Sequence, residues 1–383
     1  MKHWAVLLLA LTLAACASVP EAQHPEGLFN DRLFRVPSER INAEDVFALS
    51  DAMKHYLRTE IASQLRTKGR QQALMDALYS KSQLRLDYDS AMTRNASQAF
   101  DARSGNCLSL VIMTAAFAKA LDLSVQYQNV FVEETWSRNG DIYFSIGHVN
   151  LTLGKRQTEI GFGRNESELM TIDFLPPRDI RGLRSWVIGE HTIVAMYMNN
   201  RAVEAFTQGQ LDDAYWWARE AIGQDPRFLS SYNTLGVIYQ RHGDLEQARQ
   251  VLTYVLEREP ENARAMSNLA SVLKDQGRVA ESNMLTRKLQ QIEPYPPFSF
   301  FEGGLKAMQD GDFKAARDLF AKEVARAAYY HEFHFWLALA YVRLGEFEQA
   351  RKHLTIAMEN STTRKDHDLY AAKLDRIRSS YLH

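Results

Sequence analysis

The pattern of hydrophobic and polar residues changes once along the chain, and each part predicts a different kind of fold. Nearly every side chain from Cys107 to Leu121 is apolar, which is typical of a helix buried on all sides. Directly afterwards, Leu123, Val125 and Tyr127 alternate with polar residues, as they do along a half-buried strand. From about residue 193 onward the pattern instead repeats at a fixed interval, which predicts an array of similar units.

Further helices and strands are predicted around the buried helix. The pattern is helical at 43–65, 70–79 and 91–102, and strand-like at 83–88, 142–153 and 169–175. Asn139-Gly140 is a strong signal for a type I′ hairpin turn between two antiparallel strands. We therefore predict an α+β domain over residues 37–190, in which an antiparallel meander follows the buried helix.

The second part of the chain repeats every 34 residues. The repeated positions are glycines (Gly209, Gly243, Gly277, Gly311, Gly345), prolines (Pro226, Pro260, Pro294) and small residues (Ala202, Gly236, Ala270, Gly304, Ala338). Glycine at a turn between helices, small residues where helices touch and proline at the end of a unit match the tetratricopeptide repeat. This resemblance predicts an all-α solenoid of five repeats over 193–362, followed by a capping helix at 363–383.

The first residues carry a different signal. Lys2 precedes an apolar run from Trp4 to Leu13, which suits a signal peptide and is too short to span a bilayer. The run ends in Leu13-Ala14-Ala15-Cys16, which resembles the lipobox of bacterial lipoproteins. The resemblance implies cleavage after residue 15, lipid on Cys16, a tether over 16–36, and an outer-membrane location facing the periplasm. The alternative is an ordinary signal peptide with an incidental cysteine.

Composition narrows the choice of function. The chain has 383 residues, a formal net charge of −2 and two cysteines. Acidic and basic residues are interspersed, so the sequence does not favour binding to nucleic acid. If lipid takes Cys16, Cys107 is a lone thiol in an oxidising compartment. It falls on the first turn of the buried helix, where the helix dipole favours the thiolate, so we predict a nucleophile. The alternative is a cysteine that only packs in the core.

Three residues could supply acyl-transfer chemistry together. Cys107, His148 and Asp173 follow in the order nucleophile, general base and carboxylate that orients the imidazole. Gly105-Asn106-Cys107, Gly147-His148-Val149-Asn150 and Thr171-Ile172-Asp173 resemble the motifs of the transglutaminase-like superfamily. The resemblance covers about 84–177 and implies a papain-like fold with the activity of a thiol peptidase, amidase or acyl transferase. Neither a cofactor nor a metal is implied.

The chain departs from that superfamily in several places. Asp122 stands where glycine is frequent, Val149 and Asn150 replace a small residue and tryptophan, and 154–168 is an insertion. The backbone N–H of Cys107 is the expected oxyanion donor, and Gln98 and Asn106 are candidates for a second one. Each proposed catalytic residue also has a structural alternative. Cys107 could pack in the core, His148 could be a structural histidine of its strand, and Asp173 could cap a turn.

The repeats predict a groove lined by the first helix of each unit. Its early part is polar, and its last two units are apolar at Phe298, Phe301, Leu305, Met308, Phe335, Leu339 and Val342. One hypothesis is that these side chains bind a protein or peptide partner; the other is that they pack against the thiol domain or the capping helix. At the level of the whole chain, the hypotheses are a periplasm-facing thiol enzyme whose repeats recruit its substrate, and an inactive envelope scaffold.

Overall fold

The computed structural model describes residues 27–79, 86–89, 92–139, 142–154, 169–174, 184–361 and 363–380. The predicted signal peptide and lipidation site, Gly140 of the predicted Asn139-Gly140 turn and most of the insertion lie outside this part of the chain. Within it, no helix combines the length and the apolar character needed to cross a membrane. The described chain forms an N-terminal region of helices and strands, followed by an all-helical solenoid.

Short helices precede the buried one, and polar caps define where they begin. They are α1 (Asp51–Tyr56), α2 (Ala62–Lys68), α3 (Arg70–Tyr79) and α4 (Ala96–Ala102), with a π turn at Leu57–Ile61 between α1 and α2. Ser50 accepts a hydrogen bond from the backbone of Met53 at the start of α1. Asn95 and Gln98 form a capping box at the start of α4, which satisfies two backbone donors that the helix leaves unpaired.

The apolar run forms helix α5 (Cys107–Ala120), as predicted. Every residue from Cys107 to Ala118 is buried, because the sheet, α3, α4 and the first helix of the solenoid pack around α5. The Asn106 side chain caps the helix by accepting a hydrogen bond from the backbone N–H of Ser109 at 2.9 Å. The cap and the apolar surroundings together fix the position of the first turn, which carries the thiol.

A four-stranded antiparallel sheet packs against α5. Its strands are β3 (Ser124–Asn139), β4 (Ile142–Gly154), β5 (Met170–Ile172) and β6 (Arg184–Ile188), in the order β5-β4-β3-β6. Asn139 pairs with Ile142, so β3 and β4 are joined by two residues, as in a hairpin, but Asn139 belongs to the strand and the connection lies one residue later than the Asn139-Gly140 signal predicts. Two short strands, β1 (Asp87–Tyr88) and β2 (Ser104–Gly105), pair in parallel just before α5.

Strand β6 is absent from the sequence-based prediction. Its sequence, Arg-Ser-Trp-Val-Ile, does not alternate between polar and apolar residues, and four of its five side chains are exposed. The sequence therefore lacks the alternation of polar and apolar residues from which a strand can be predicted. Pairing with β3, between Tyr127 and Ile188 for example, determines the conformation of β6.

Eleven helices of the described chain make up the solenoid. They are α6 (Glu190–Thr207), α7 (Leu211–Gln224), α8 (Leu229–His242), α9 (Leu245–Arg258), α10 (Ala263–Asp275), α11 (Val279–Ile292), α12 (Ser299–Asp310), α13 (Phe313–Arg326), α14 (His331–Leu344), α15 (Phe347–Glu359) and α16 (Arg364–Ser380). Gly243, Gly311 and Gly345 end their helices at φ 103°, 81° and 78°, a region that glycine enters without steric cost. The last helix, α16, packs on α15 and buries Tyr370 and Leu374, as expected of a capping helix.

The hydrophobic core is divided inside the solenoid. The largest cluster extends from Phe34 to Leu273, so it joins the N-terminal region to the first three repeats. Two smaller clusters lie in the fourth and fifth repeats and under α16. The division falls at α11, which buries one residue, Ser282, whereas the equivalent helix α9 buries four. Just beyond it, Phe298 has φ 65°, and α12 begins only at Ser299.

Candidate active site

The thiol of Cys107 lies at the junction of β2 and α5. Glycine is needed at position 105, where the backbone of β2 runs close to the first turn of α5. A Cβ atom there would lie 2.6 Å from Cβ of Ser109. The Asn106 side chain, besides capping α5, donates to the hydroxyl of Thr93 at 2.9 Å. Cys107 itself is 5% exposed, and it is a free cysteine. The local sequence therefore holds a reduced thiol at the positive end of a buried helix.

The second and third residues of the predicted set meet across β4 and the end of β5. His148 Nε2 and Asp173 Oδ1 are 2.8 Å apart, and both side chains are about 5% exposed or less. Because a carboxylate only accepts, the hydrogen must sit on Nε2 of His148. The other ring nitrogen, Nδ1, is then the atom that can exchange a proton with a thiol.

Cys107 reaches the same place from α5. Its Sγ lies 3.9 Å from the carbonyl oxygen of Gly147, the residue directly before His148. Burial by itself would lower the pKa of His148, but hydrogen bonds to Asp173 and Cys107, and the charges of both, raise this pKa to about 9. At neutral pH the imidazole is therefore protonated, with Asp173 on one side and the thiol on the other.

Asn150 is part of this cluster, although sequence reasoning gave it no role. It lies two residues beyond His148 on the same face of β4, and its Nδ2 donates to Asp173 Oδ2 at 2.9 Å. Asp173 thus receives one hydrogen bond on each carboxylate oxygen from this strand. Among the described residues, the buried Oδ1 of Asn150 has no hydrogen-bond partner. The only signal in the sequence was its spacing of two from the histidine.

The other sequence-based candidates around the thiol have structural roles. The Oε1 of Gln98 accepts from the backbone of Asn95, and Asn106 is engaged with Ser109 and Thr93. Both side chains therefore hold helix starts. Asp122 has φ 59°, which explains why glycine suits this position and why aspartate, which tolerates the left-handed region, can replace it.

The predicted apolar partner groove in the last repeats is corrected by the structure. Phe298 is 1% exposed and Phe301 is 0% exposed, because both rings pack with Phe333 inside the fourth and fifth repeats. The remaining members are only partly buried and pack inward: Leu305 and Met308 on that cluster, and Phe335 and Val342 on the cluster under α16. Leu339 has intermediate exposure. The hydrophobic effect drives these large side chains into the solenoid and its cap, so they do not form an open docking surface.

No set of three metal-ligating side chains occurs together in the part of the chain that the structure describes. The two histidines of α14 make internal contacts instead. His331 Nδ1 lies 2.7 Å from the hydroxyl of Tyr370, and His334 Nε2 lies 2.9 Å from the carbonyl of Ala328. Burial lowers the pKa of both histidines, which is consistent with neutral rings.

Comparison with known proteins identifies the second half of the chain. The tetratricopeptide repeat family model matches residues 233–282 and 301–362. The solenoid is a tetratricopeptide-repeat array. No curated protein matches the chain. Both matched segments lie within the solenoid.

Several solved structures resemble the solenoid at low sequence identity. A MamA fragment from Desulfovibrio magneticus RS-1 is 19% identical, covers 45% of this chain and 96% of its own length, and has a TM-score of 0.26. TTC0263 from Thermus thermophilus, a thermophilic tetratricopeptide protein, is 16% identical over 47% of this chain and 98% of its own, with a TM-score of 0.30. YrrB, described as having an unusual peptide-binding site, is 18% identical over 47% and 92%, with a TM-score of 0.25.

Proposed function

We propose that the N-terminal region is a transglutaminase-like thiol domain that acts on acyl groups. The observation that carries the proposal is the buried His148–Asp173 hydrogen bond next to Cys107 at the start of α5. A thiol at a helix N-terminus beside an imidazole that is itself oriented by a carboxylate is the arrangement that activates a cysteine nucleophile. The activity would be that of a peptidase or amidase, or of an acyl transferase.

The chemistry follows from the positions of the three side chains. The proton of Cys107 resides on His148 in an imidazolium–thiolate pair, and the thiolate attacks the acyl carbonyl to form a tetrahedral intermediate. The backbone N–H of Cys107 is a donor for its oxyanion. His148 then gives its proton to the leaving amine, which produces a thioester on Cys107. Water releases a carboxylic acid from this thioester in hydrolysis, whereas an amine releases a new amide in transamidation, and His148 receives the proton in both cases.

The proposal extends to the repeats, which would recruit the substrate, and to the N-terminal sequence, which would anchor the protein. Tetratricopeptide repeats commonly bind proteins or peptides, so the solenoid would recruit a protein substrate or partner. The lipobox-like sequence ending at Cys16 supports a lipid anchor, with the protein in the bacterial outer membrane facing the periplasm. Substitution of Cys16 by serine tests the anchor: the protein is expected to leave the outer-membrane fraction. An unchanged outer-membrane fraction would contradict this part of the proposal.

Thiol reactivity tests the enzyme proposal. In a Cys16→Ser variant, Cys107 is the only remaining thiol, so its reaction with iodoacetamide can be followed without labelling at a second site. We expect His148→Ala to slow alkylation at neutral pH by about tenfold or more, because the imidazole no longer stabilises the thiolate. We also expect an electrophilic peptide to form an adduct on Cys107, and Cys107→Ala to abolish it.

The second candidate function is a scaffold that acts only through its repeats. The comparisons favour it, since the family match lies entirely in the solenoid. Slow alkylation of Cys107 that is indifferent to His148, together with the absence of a peptide adduct, would support the scaffold and remove the enzyme proposal. The two candidates share the repeat-mediated binding of a protein partner.

A further inference from the structure

An extended segment near the N-terminus lies across the first two repeats. We call residues 28–39 the strap; apart from a short 3-10 turn at Asp31–Leu33, it has no regular secondary structure. It contacts side chains of α7 and α8, nearly two hundred residues further along the chain. We refer to these side chains as the strap site: Asp212, Asp213, Tyr215, Trp216, Arg219, Tyr239 and His242.

The strap site holds the first part of the strap through its backbone. The N–H of Asn30 donates to the hydroxyl of Tyr215 at 3.1 Å and to that of Tyr239 at 2.9 Å. The Tyr239 hydroxyl in turn donates to the carbonyl of Leu28 at 3.0 Å. Each tyrosine hydroxyl can donate once and still accept, so one donor and one acceptor of the strap backbone are satisfied by side chains of the repeats.

The second part of the strap is held in the same way. The N–H of Arg35 donates to Asp212 Oδ1 at 2.9 Å, and the indole of Trp216 donates to the carbonyl of Arg35. The N–H of Ser38 donates to Asp213 Oδ1 at 2.7 Å, and its hydroxyl donates to Oδ2 at 2.7 Å. Bonds to main-chain groups do not depend on which side chain the bound segment carries.

One side chain of the strap supplies an anchor. Phe34 is 6% exposed and stacks on Tyr215, with their ring centroids 3.9 Å apart and nearly parallel. The ring of His242 covers it from another direction at 4.6 Å. Three residues before the anchor, Asp31 pairs with Arg219 at 2.9 Å and accepts from the Tyr215 hydroxyl at 2.6 Å. An aromatic ring in a pocket and an acidic residue at a fixed distance from it make a short recognition pattern.

We propose that the strap site is a peptide-binding site of the repeats, and that the strap is its intramolecular ligand. The ligand class is an extended peptide with a buried aromatic anchor and an acidic residue three positions before it. Main-chain bonds supply general affinity, while the Phe34 pocket and Arg219 supply selectivity. A peptide of this class on another molecule binds only when the strap leaves, because the strap is present at a high effective concentration.

A full-length chain with a weakened strap tests the proposal. Phe34→Ala removes the anchor, and Arg35→Pro removes the N–H that binds Asp212. A fluorescent peptide of residues 27–40 is expected to bind this double variant at least tenfold more tightly than it binds the wild-type chain. The same peptide carrying Phe34→Ala should bind at least tenfold more weakly. Tyr215→Phe and Tyr239→Phe, added to the double variant, should also weaken binding, because they remove hydroxyls and keep the rings.

Two results would overturn the proposal. The first is a folded double variant that binds the peptide no better than the wild-type chain does. The second is binding that is indifferent to the Phe34→Ala peptide and to the tyrosine changes. If the double variant does not fold, hydrogen exchange of the wild-type chain decides instead. A ligand-like strap should release the amides of Asn30, Arg35 and Ser38 together, at least tenfold faster than the amides of α7 and α8. Exchange of these amides only with global unfolding would make the strap a fixed part of the fold and refute the proposal.

Discussion

At the scale of the residue, the candidate site depends on how Asp173 is shared. His148 and Asn150 each donate to a different oxygen of this carboxylate, and all three side chains are largely buried. A buried carboxylate is costly unless its lone pairs are occupied, and these two bonds occupy one on each oxygen. The hydrogen bond and the charge of Asp173 raise the pKa of His148 against the effect of burial. Asn150 therefore acts on the imidazole through Asp173, as a positioning residue.

The pKa of His148 predicts how stability depends on pH. Its folded pKa of about 9 exceeds the ordinary value of 6.5. The protonated ring therefore contributes stability that is fully present below about pH 6.5 and is lost as pH rises through about 9, by up to about 3 kcal/mol. Urea unfolding between pH 6 and pH 10 should show this decline, and His148→Gln should flatten it. His55→Gln, at an exposed position in α1, is the control. A decline of the same size in His148→Gln would contradict the assignment.

Substitution of Asn150 tests its positioning role. Asn150→Ala is expected to lower the unfolding free energy by about 1–3 kcal/mol, because a hydrogen bond to a buried charge is lost. It should also slow alkylation of Cys107 several-fold, since Asp173 then orients His148 less well. Thr152→Val is a matched control on the same face of β4, because the Thr152 hydroxyl bonds Thr171 at 3.0 Å rather than Asp173. Thr152→Val should lower the free energy of unfolding without changing the alkylation rate of Cys107. Equal effects on alkylation would show that general loosening of β4 is responsible.

The residues of the site were predictable to different degrees. Cys107, His148 and Asp173 could be chosen from their types and order, and the structure brings them together. The role of Asn150 could not be chosen, because a polar residue on a strand face does not reveal its partner on the next strand. That partner depends on the register of β4 with β5, in which Leu151 lies opposite Ile172.

At the scale of the element, the 34-residue period and its recurring glycines predicted most helices of the solenoid. The 34-residue step places the first helix of the fourth repeat at Pro297, as it places others at Ala263 and His331. The structure begins α12 at Ser299, because Phe298 adopts φ 65° while its ring packs into the core. A strained backbone held by tertiary packing has no signature in the hydrophobic pattern. The same holds for β6, whose pairing partner lies about sixty residues earlier in the chain.

Adjacent glycines in α12 test the close packing of the fourth repeat. A Cβ at Gly304 would lie 2.5 Å from the Phe320 ring, whereas a Cβ at Gly303 would be 3.4 Å from Leu319. Gly304→Ala should therefore destabilise this repeat by about 1–3 kcal/mol through overpacking. Gly303→Ala in the same helix should be neutral or stabilising by up to about 1 kcal/mol, because alanine favours helix. Guanidinium unfolding followed by circular dichroism measures both. Equal destabilisation would mean that the packing at Phe320 relaxes freely.

At the scale of the whole molecule, the N-terminal region and the first three repeats share one hydrophobic core. The 34-residue period predicted the repeats, whereas no sequence pattern predicted this shared core, because it joins residues more than a hundred positions apart. Polar groups cross this contact in a chain. Glu39 pairs with Arg201, Arg201 pairs with Glu204, and Glu204 accepts from the backbone N–H of Thr93 at 2.6 Å. Thr93 accepts from Asn106, which caps the helix of the thiol.

This chain of contacts also borders the strap. Ser38 and Glu39, at the end of the strap, line a cavity of about 240 Å³ together with Arg201, Glu204 and Asp213. Burial raises the pKa of Glu204, and its bonds to Thr93 and Arg201 oppose this rise. Direct contacts therefore connect the first repeat to Asn106, the residue before Cys107, and we predict that a change at Glu204 alters the reactivity of the thiol.

Substitution of Glu204 tests this coupling. Glu204→Ala removes the acceptor of the Thr93 N–H and the partner of Arg201, so Thr93, whose hydroxyl accepts from Asn106, loses its support from α6. We expect unfolding free energy to fall by about 1–3 kcal/mol and alkylation of Cys107 to slow several-fold, although Glu204 lies in a repeat. Glu246→Ala is the control, because Glu246 is exposed and bonds Arg249 and Gln250 of its own helix, α9. It should change neither quantity appreciably. If Glu204→Ala lowers stability but leaves the alkylation rate at the wild-type value, the contact holds the two domains together without influencing the thiol.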